Sequence, residues 1–417
     1  MRDRSDASAP RVLYCTDTYP PQVNGVSVVT ALSVAGLRAR GWECAVVAPR
    51  YPGVLPRGPL DQGSLDPQLV GVASVSFPPY PDIRLAAPSY GAVRDTVRRF
   101  KPDIVHSATE FMIGRLGQIV AGRAGVARLS SYHTDFSRYT EAYGLPWLRG
   151  PVSRYIARFH KRSARVFTPS EPAREDLRAL GVADVEVWGR GVDVNVFSPE
   201  RRSRSLRAAY GVDHAVVFLH VGRLAAEKGV ERIVRAFERA KQLLPAGAVR
   251  LIIAGAGPEE AALRHLTGPE VLFLGVLDRE RALPRLYASA DAFLFSSLTE
   301  TLGLVVLEAM ASGLPVIAPP AGGVADHLRH DINGIAVPPS DVDSMATEIV
   351  ALTLDAPRRR RLAEGARSTA LALDWRSELD RLDASYRSLL GRARKPREQS
   401  PSTPDIFDEQ SAQSAIR

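Results

Sequence analysis

The chain has 417 residues, of which 45% are hydrophobic and 24% charged, and it carries a formal net charge of +8. That length exceeds one ordinary core and predicts two domains, with the composition of a soluble α/β protein. No apolar run reaches the ~18 residues of a membrane-spanning helix, and the charged start MRDRSDASAP, with no apolar run behind it, speaks against a secretory signal.

In chain order, short apolar runs predict strands at Val12–Thr16, Cys44–Ala48, Ile104–Ser107, Leu129–His133, Val166–Pro169 and Val185–Trp188. They lack in/out alternation, as strands buried on both faces do. Cys15 and Cys44 fall in the first two and read as buried free thiols of a reducing compartment, hence an expected cytoplasmic location. A basic, proline-marked stretch, Ser198–Leu206, separates a second βα series. Its strands are Val216–Val221, Val249–Ala254, Val271–Leu274, Ala292–Phe295 and Pro315–Ala318, and its helices Val230–Leu243, Glu259–Leu266, Glu280–Ala288 and Leu304–Ser312. Trp375–Leu390 reads as one amphipathic helix that could pack back on the first domain. The expected fold is therefore α/β, with two Rossmann-like domains whose parallel sheets face across a cleft. The expected divisions are a first domain at 1–196, a linker at 197–211, a second domain at 212–374, a crossover helix at 375–392 and a disordered tail at 393–417. Up to Phe197 there are 25 Lys and Arg against 18 Asp and Glu, and afterwards 29 against 28, so the first half is expected to meet something anionic.

Ligands of open α/β sheets bind beyond the carboxyl ends of the strands, and the unusual residues fall there. After the first strand comes Asp17-Thr18-Tyr19-Pro20-Pro21-Gln22-Val23-Asn24-Gly25-Val26 and a helix start. Gly25 there lets the backbone approach an anion at the helix N-terminus, although a tight turn explains it equally. After Val216–Val221 comes Gly222-Arg223-Leu224-Ala225-Ala226-Glu227-Lys228-Gly229, in which Arg223 and Lys228 can converge on a diphosphate; two solvated surface cations are the competing reading. The sharpest pattern is Glu300-Thr301-Leu302-Gly303-Leu304-Val305-Val306-Leu307-Glu308. A loop carboxylate precedes a helix start whose Gly303 and Leu304 amides can hold a phosphate, and Glu308, in apolar sequence, needs a partner such as ribose hydroxyls. A capping acid followed by a solvent-facing glutamate is the competing reading.

This glutamate pair and the loop Gly-Arg-x4-Lys-Gly, together with PPQVNGV, SSYHTDF and GRGVDVNVF, resemble the glycosyltransferase-B family of retaining enzymes related to glycogen and sucrose synthases. PPQVNGV, HTDF and WGRGVDVNVF are most similar to bacterial mannosyltransferases that build glycolipids, near the sulfoquinovosyl-diacylglycerol synthases. The resemblance implies roles. Gly25 would approach the donor phosphate and sugar; His133 would present its carbonyl or ring to the transferred sugar, with Asp135 and Tyr19 on the acceptor side. Arg223 and Lys228 would neutralise the diphosphate, Glu300 would bind sugar hydroxyls, Thr301, Leu302, Gly303 and Leu304 the phosphate and sugar, and Glu308 the ribose. Two positions depart from many relatives: the first loop has one glycine, Gly25, where two are common, and Leu302 replaces an aromatic.

The implied reaction is a retaining, front-face transfer of a hexose, mannose from GDP-mannose being the first expectation, to a lipid or lipid-linked acceptor. Catalysis would be electrostatic, with no metal and no cofactor besides the nucleotide-diphosphate sugar. Glucose, glucuronate or sulfoquinovose on a UDP or GDP carrier, an epimerase or phosphorylase on this fold, and a non-catalytic nucleotide-sugar binder stay open. No nucleic-acid partner is expected. Arg149, Arg154, Arg158, Lys161, Arg162 and Arg165, with Val152, Tyr155, Ile156 and Phe159 at helical spacing, predict a basic amphipathic helix at 149–165. Such a helix suits an anionic membrane surface, hence peripheral association, or else packs its apolar stripe on its own domain. Asp341-Val342-Asp343 reads as a helix cap, Gly255-Ala256-Gly257 as too short for a dinucleotide fingerprint, and His327 and His330 as surface residues.

Overall fold

The structure, a computed structural model, describes residues 9–22, 24–51, 69–77, 80–87, 89–135, 137, 140 and 144–393. Val23 and Phe136 of the quoted motifs, and the expected tail from residue 394, lie outside them. The chain divides into two units. One comprises residues 1–131, 162–165 and 380–417, the other 132–161 and 166–379.

The first unit contains β1 (Arg11–Cys15), β2 (Glu43–Pro49), β3 (Leu69–Val72), β4 (Ser74–Phe77), β5 (Tyr80–Ala86), β6 (Ile104–Ser107) and β7 (Ala127–Ser131). Strands β3-β2-β1-β6-β7 form a parallel sheet in that order, with Val12 opposite Cys44 and Ile104. Leu13, Val47, Val105, Ile113 and Val120 share its core. Helix Met112–Arg123 lies so close over β1 that a Cβ on Gly117 would come within 2.7 Å of Cys15 Sγ. Its first turn is capped by Asp17, whose Oδ1 accepts from Ile113 N at 2.9 Å. Both cysteines are free and buried. The antiparallel hairpin β4–β5 was not legible as strands, and neither was β3. The C-terminal helix, Trp375–Ala393, belongs to this unit from Asp380 onward. Its Tyr386 hydroxyl meets Tyr14 Oη at 2.8 Å and also His106 Nδ1, and Asp383 accepts from Trp42 Nε1 at 2.6 Å.

The second unit contains β8 (Arg165–Thr168) from Val166 on, β9 (Val185–Val187), β10 (Val216–Val221), β11 (Val249–Ala254), β12 (Val271–Gly275), β13 (Ala292–Leu294), β14 (Val316–Ala318) and β15 (Gly334–Ala336). Strands β12-β11-β10-β13-β14-β15 make a parallel sheet, with Phe218 opposite Leu251 and Ala292. Phe218, Phe237, Leu251, Leu294, Ile317 and Ile349 are fully buried in its core. Strand β15 and helix Ala356–Leu371 are additions to the elements expected from sequence. The expected strand Leu129–His133 ends at Ser131, which leaves His133 in the loop beyond it.

Helix Arg149–His160 turns its apolar stripe inward: Ile156 and Phe159 are buried, and Val152 and Tyr155 pack against Val166, Ala173 and Leu177. Arg149, Arg154, Arg158, Lys161 and Arg162 stay exposed, as do Leu145 and Trp147 just before the helix. One expectation is corrected. His327 is 4% exposed and buried, whereas His330 is exposed; the short helical turn Gly322–Asp326 folds His327 inward behind buried Val324. Asp341 is a cap, its Oδ1 accepting from Ser344 N at 2.9 Å at the start of helix Val342–Leu354.

Candidate functional site

The Arg223–Lys228 loop and the Glu300 loop leave neighbouring strands of the second unit, β10 and β13. After β10, Gly222–Gly229 is fixed through its backbone: Gly222 N donates to Ala254 O at 3.0 Å and Leu224 N to Ala256 O at 3.0 Å. The glycines Gly255 and Gly257 are explained here, since a Cβ would stand 1.9 Å from Gly222 O and 2.2 Å from Leu224 O respectively. The loop's far end is tied to residues following β13. Ser296 Oγ donates to the Lys228 and Gly229 carbonyls at 2.9 and 2.8 Å, and Ser297 Oγ to the Glu227 carbonyl at 3.2 Å.

The second loop, Thr299–Gly303, is held by Gly322 and Gly323. Gly323 N donates to Glu300 O at 2.8 Å, and a Cβ on either glycine would lie about 2 Å from a loop carbonyl (2.2 Å from Glu300 O, 2.1 Å from Thr301 O). Gly303 takes φ +74°, a left-handed conformation that suits glycine, and starts helix Leu304–Ala311. Thr301, Leu302 and Leu304 are buried around that helix start. Thr301 Oγ1 donates to the carbonyl oxygen of His133, which brings the 132–135 loop to this site. His133 is half-buried, and burial pushes its imidazole down to about 4. Asp135 is buried and accepts from Ser137 Oγ at 2.5 Å.

The charged side chains of the two loops meet each other. Lys228 Nζ donates to Glu300 Oε2 at 2.5 Å, and Arg223 pairs with Glu227, whose side chain is fully buried. Glu308 is 0% exposed, which rules out the competing reading of a solvent-facing glutamate. Its oxygens are met by Arg279 and by Tyr287 Oη, the latter at 3.2 Å, and burial nonetheless pushes its carboxyl above the ordinary range. Beneath Gly222, His220 Nδ1 faces the Leu294 carbonyl at 3.0 Å and burial lowers its imidazole to about 4.

Thus Arg223, Lys228, Glu300, Thr301, Leu302, Gly303, Leu304, Glu308, His133 and Asp135 lie in one unit, while Gly25 and Tyr19 lie in the other. Gly25 begins helix Gly25–Arg38, behind Asn24, whose Oδ1 accepts from Ser27 N at 2.9 Å. Tyr19 is buried. Sequence reasoning passed over Arg279, Tyr287, Glu227 and the Gly322-Gly323 pair. A Gly-Gly pair after a strand and a glutamate four residues from Arg223 were readable signals; nothing local marks Arg279 or Tyr287. Among the described residues no group of three or more His, Cys, Asp or Glu is placed to hold a metal ion.

Two family models match the chain: Glycosyltransferase Family 4 over residues 23–196 and Glycosyl transferases group 1 over residues 215–355. A GDP-mannose-dependent alpha-mannosyltransferase of Mycobacterium tuberculosis is 34% identical over 382 residues, 92% of this chain and 97% of that one. The sulfoquinovosyl transferase SQD2 of Arabidopsis thaliana is 32% identical over 319 residues, 74% of this chain and 61% of that one. Among solved structures, Anabaena Alr3699/HepE in complex with UDP superposes with a TM-score of 0.72 at 21% identity, covering 91% of this chain and 100% of that one. At that identity the likeness speaks for the fold.

Proposed function

Because this chain belongs to the group 1 and family 4 glycosyltransferases and is an enzyme of that class, we propose that it transfers mannose from GDP-mannose to a lipid or lipid-linked acceptor, with retention at the anomeric carbon. The observation that carries the donor reading is the meeting, in one unit, of the Gly222–Gly229 and Glu300–Gly303 loops through Lys228 and Glu300, with buried Glu308 on the helix that the second loop starts. In this reading Arg223 and Lys228 take the diphosphate, the Leu304 helix start adds its dipole, Glu300 takes sugar hydroxyls and Glu308 the ribose.

The bond from the anomeric carbon to the phosphate oxygen breaks, and the bond to the acceptor oxygen forms on the same face. The leaving phosphate oxygen takes the acceptor proton. The work of the chain is to stabilise the departing diphosphate with cations and helix amides, so turnover proceeds without a divalent metal. A glucose, glucuronate or sulfoquinovose donor is the second reading, favoured by similarity to the sulfoquinovosyl transferase and to a pneumococcal alpha-monoglucosyldiacylglycerol synthase, 30% identical over 74% of this chain.

The test is release of GDP from GDP-mannose in the presence of lipid vesicles and chelator. Arg223→Ala is expected to lose roughly 3 kcal/mol of transition-state stabilisation, the scale of one oxyanion donor. Near-normal turnover would remove Arg223 from the site. A changed sugar with no acceptor consumed would instead mark an epimerase.

A further inference from the structure

The cations assigned to the diphosphate already have carboxylate partners, and the pairing is unequal. Lys228 and Glu300 sit on two loops whose backbones are each fixed by other means. The Lys228 and Gly229 carbonyls accept from Ser296 Oγ, and Arg232 Nη2 donates to Ser296 O at 2.9 Å. The Glu300 carbonyl accepts from Gly323 N. The two loops are thus joined through Ser296 and Ser297, and neither backbone depends on the 2.5 Å contact between the Lys228 and Glu300 side chains to hold its place. The pair is accessible, its side chains being 17% and 22% exposed. Glu227, which holds Arg223, is by contrast fully buried at its side chain.

A phosphate oxygen and a carboxylate oxygen compete for the same ammonium hydrogens. A diphosphate that takes Lys228 releases the Glu300 carboxylate, and a carboxylate so released is an acceptor for hydroxyl groups. We propose that Lys228–Glu300 is an exchange pair that makes sugar recognition conditional on the diphosphate: the diphosphate displaces Glu300 from Lys228, and Glu300 then takes the hydroxyls of the sugar. Glu300 is thus both the competitor of the phosphate and the ligand of the sugar, so that a free sugar meets a glutamate already engaged. The inference rests on the donor reading above and adds the order in which the two halves of the donor are recognised.

The consequence runs against the usual expectation for a binding residue. Glu300→Gln is expected to bind GDP alone at least fivefold more tightly than the unaltered protein, because the competitor for Lys228 has lost its charge. The same variant is expected to lose at least tenfold in its preference for GDP-mannose over GDP. Both affinities are measured by titration calorimetry at fixed salt, with UDP and UDP-glucose run alongside, and thermal melts check that each variant folds.

A Lys228→Met background separates exchange from a through-space charge effect, since without the ammonium Glu300→Gln should no longer tighten GDP. Equal tightening of GDP and GDP-mannose, tightening that persists in Lys228→Met, or no tightening at all would each overturn the proposal while leaving the donor site standing. If the unaltered protein binds none of these nucleotides, the donor reading falls and the exchange falls with it.

Discussion

At the scale of single residues, burial outweighs pairing. Glu308 has a guanidinium and a phenol on its oxygens, yet its carboxyl is pushed upward because desolvation of the charged form exceeds what Arg279 returns. The buried imidazoles of His220 and His327 move the other way, each down to about 4, again by burial first. The consequence for stability has a definite sign. Between the ordinary histidine value and about 4, the unfolded chain binds a proton that the folded chain refuses. Stability is therefore intact above that window and lost as pH falls through it. Each histidine contributes about 3 kcal/mol across the full window. His327→Gln is accordingly expected to flatten the dependence of the urea midpoint on pH between 6.5 and 4, and an unchanged slope would place that imidazole in water. The burial of His327 was not legible beforehand, since it is decided by how Gly322–Asp326 turns, whereas Glu308 stood in apolar sequence and His220 in an expected strand.

At the scale of elements, the strand-loop-helix units were legible because buried parallel strands leave nearly continuous apolar runs such as Val216–Val221 and Val249–Ala254, each broken by a single polar residue, His220 or Arg250. The loops after them were legible as charge and glycine in a fixed order. Hidden from the sequence were the partners that come from elsewhere in the chain: Arg279 and Tyr287 on Glu308, and Gly322 and Gly323 beneath the Glu300 loop. Hairpin β4–β5 was missed for another reason: SVSF and DIRL alternate, but for only four residues each and on either side of a proline-rich turn, too short a run to stand out. The glycine pair gives an element-scale prediction. Gly323→Ala would put a methyl group 2.1 Å from the Thr301 carbonyl oxygen, so the 300–303 loop must move. Nucleotide-sugar affinity is expected to fall at least tenfold, while circular dichroism keeps the α/β signature; unchanged affinity would show that this loop does not touch the donor.

At the scale of the whole molecule, the residues expected to carry the chemistry are divided between two units, each with a core of its own. Among the described residues no helix is long and apolar enough to cross a membrane. The basic helix expected to meet lipid uses its apolar stripe internally, so the surface left for anionic lipid is its arginine face with exposed Leu145 and Trp147. An anionic lipid surface is the partner that this exposed face would suit. Co-sedimentation with anionic vesicles is expected to weaken with salt and with Trp147→Ala, and binding indifferent to lipid charge would remove this surface from the account.

The most direct test of the central claim is a thermal-shift screen against nucleotide-diphosphate sugars, with and without chelator. Stabilisation grows with ligand concentration over the dissociation constant, by about 2.7 kcal/mol at a hundredfold excess. The account predicts that one nucleotide sugar, GDP-mannose first among them, raises the melting temperature equally in both conditions, and that Lys228→Met reduces the shift. A shift only with a dinucleotide such as NAD, or one that Lys228→Met leaves intact, would contradict it.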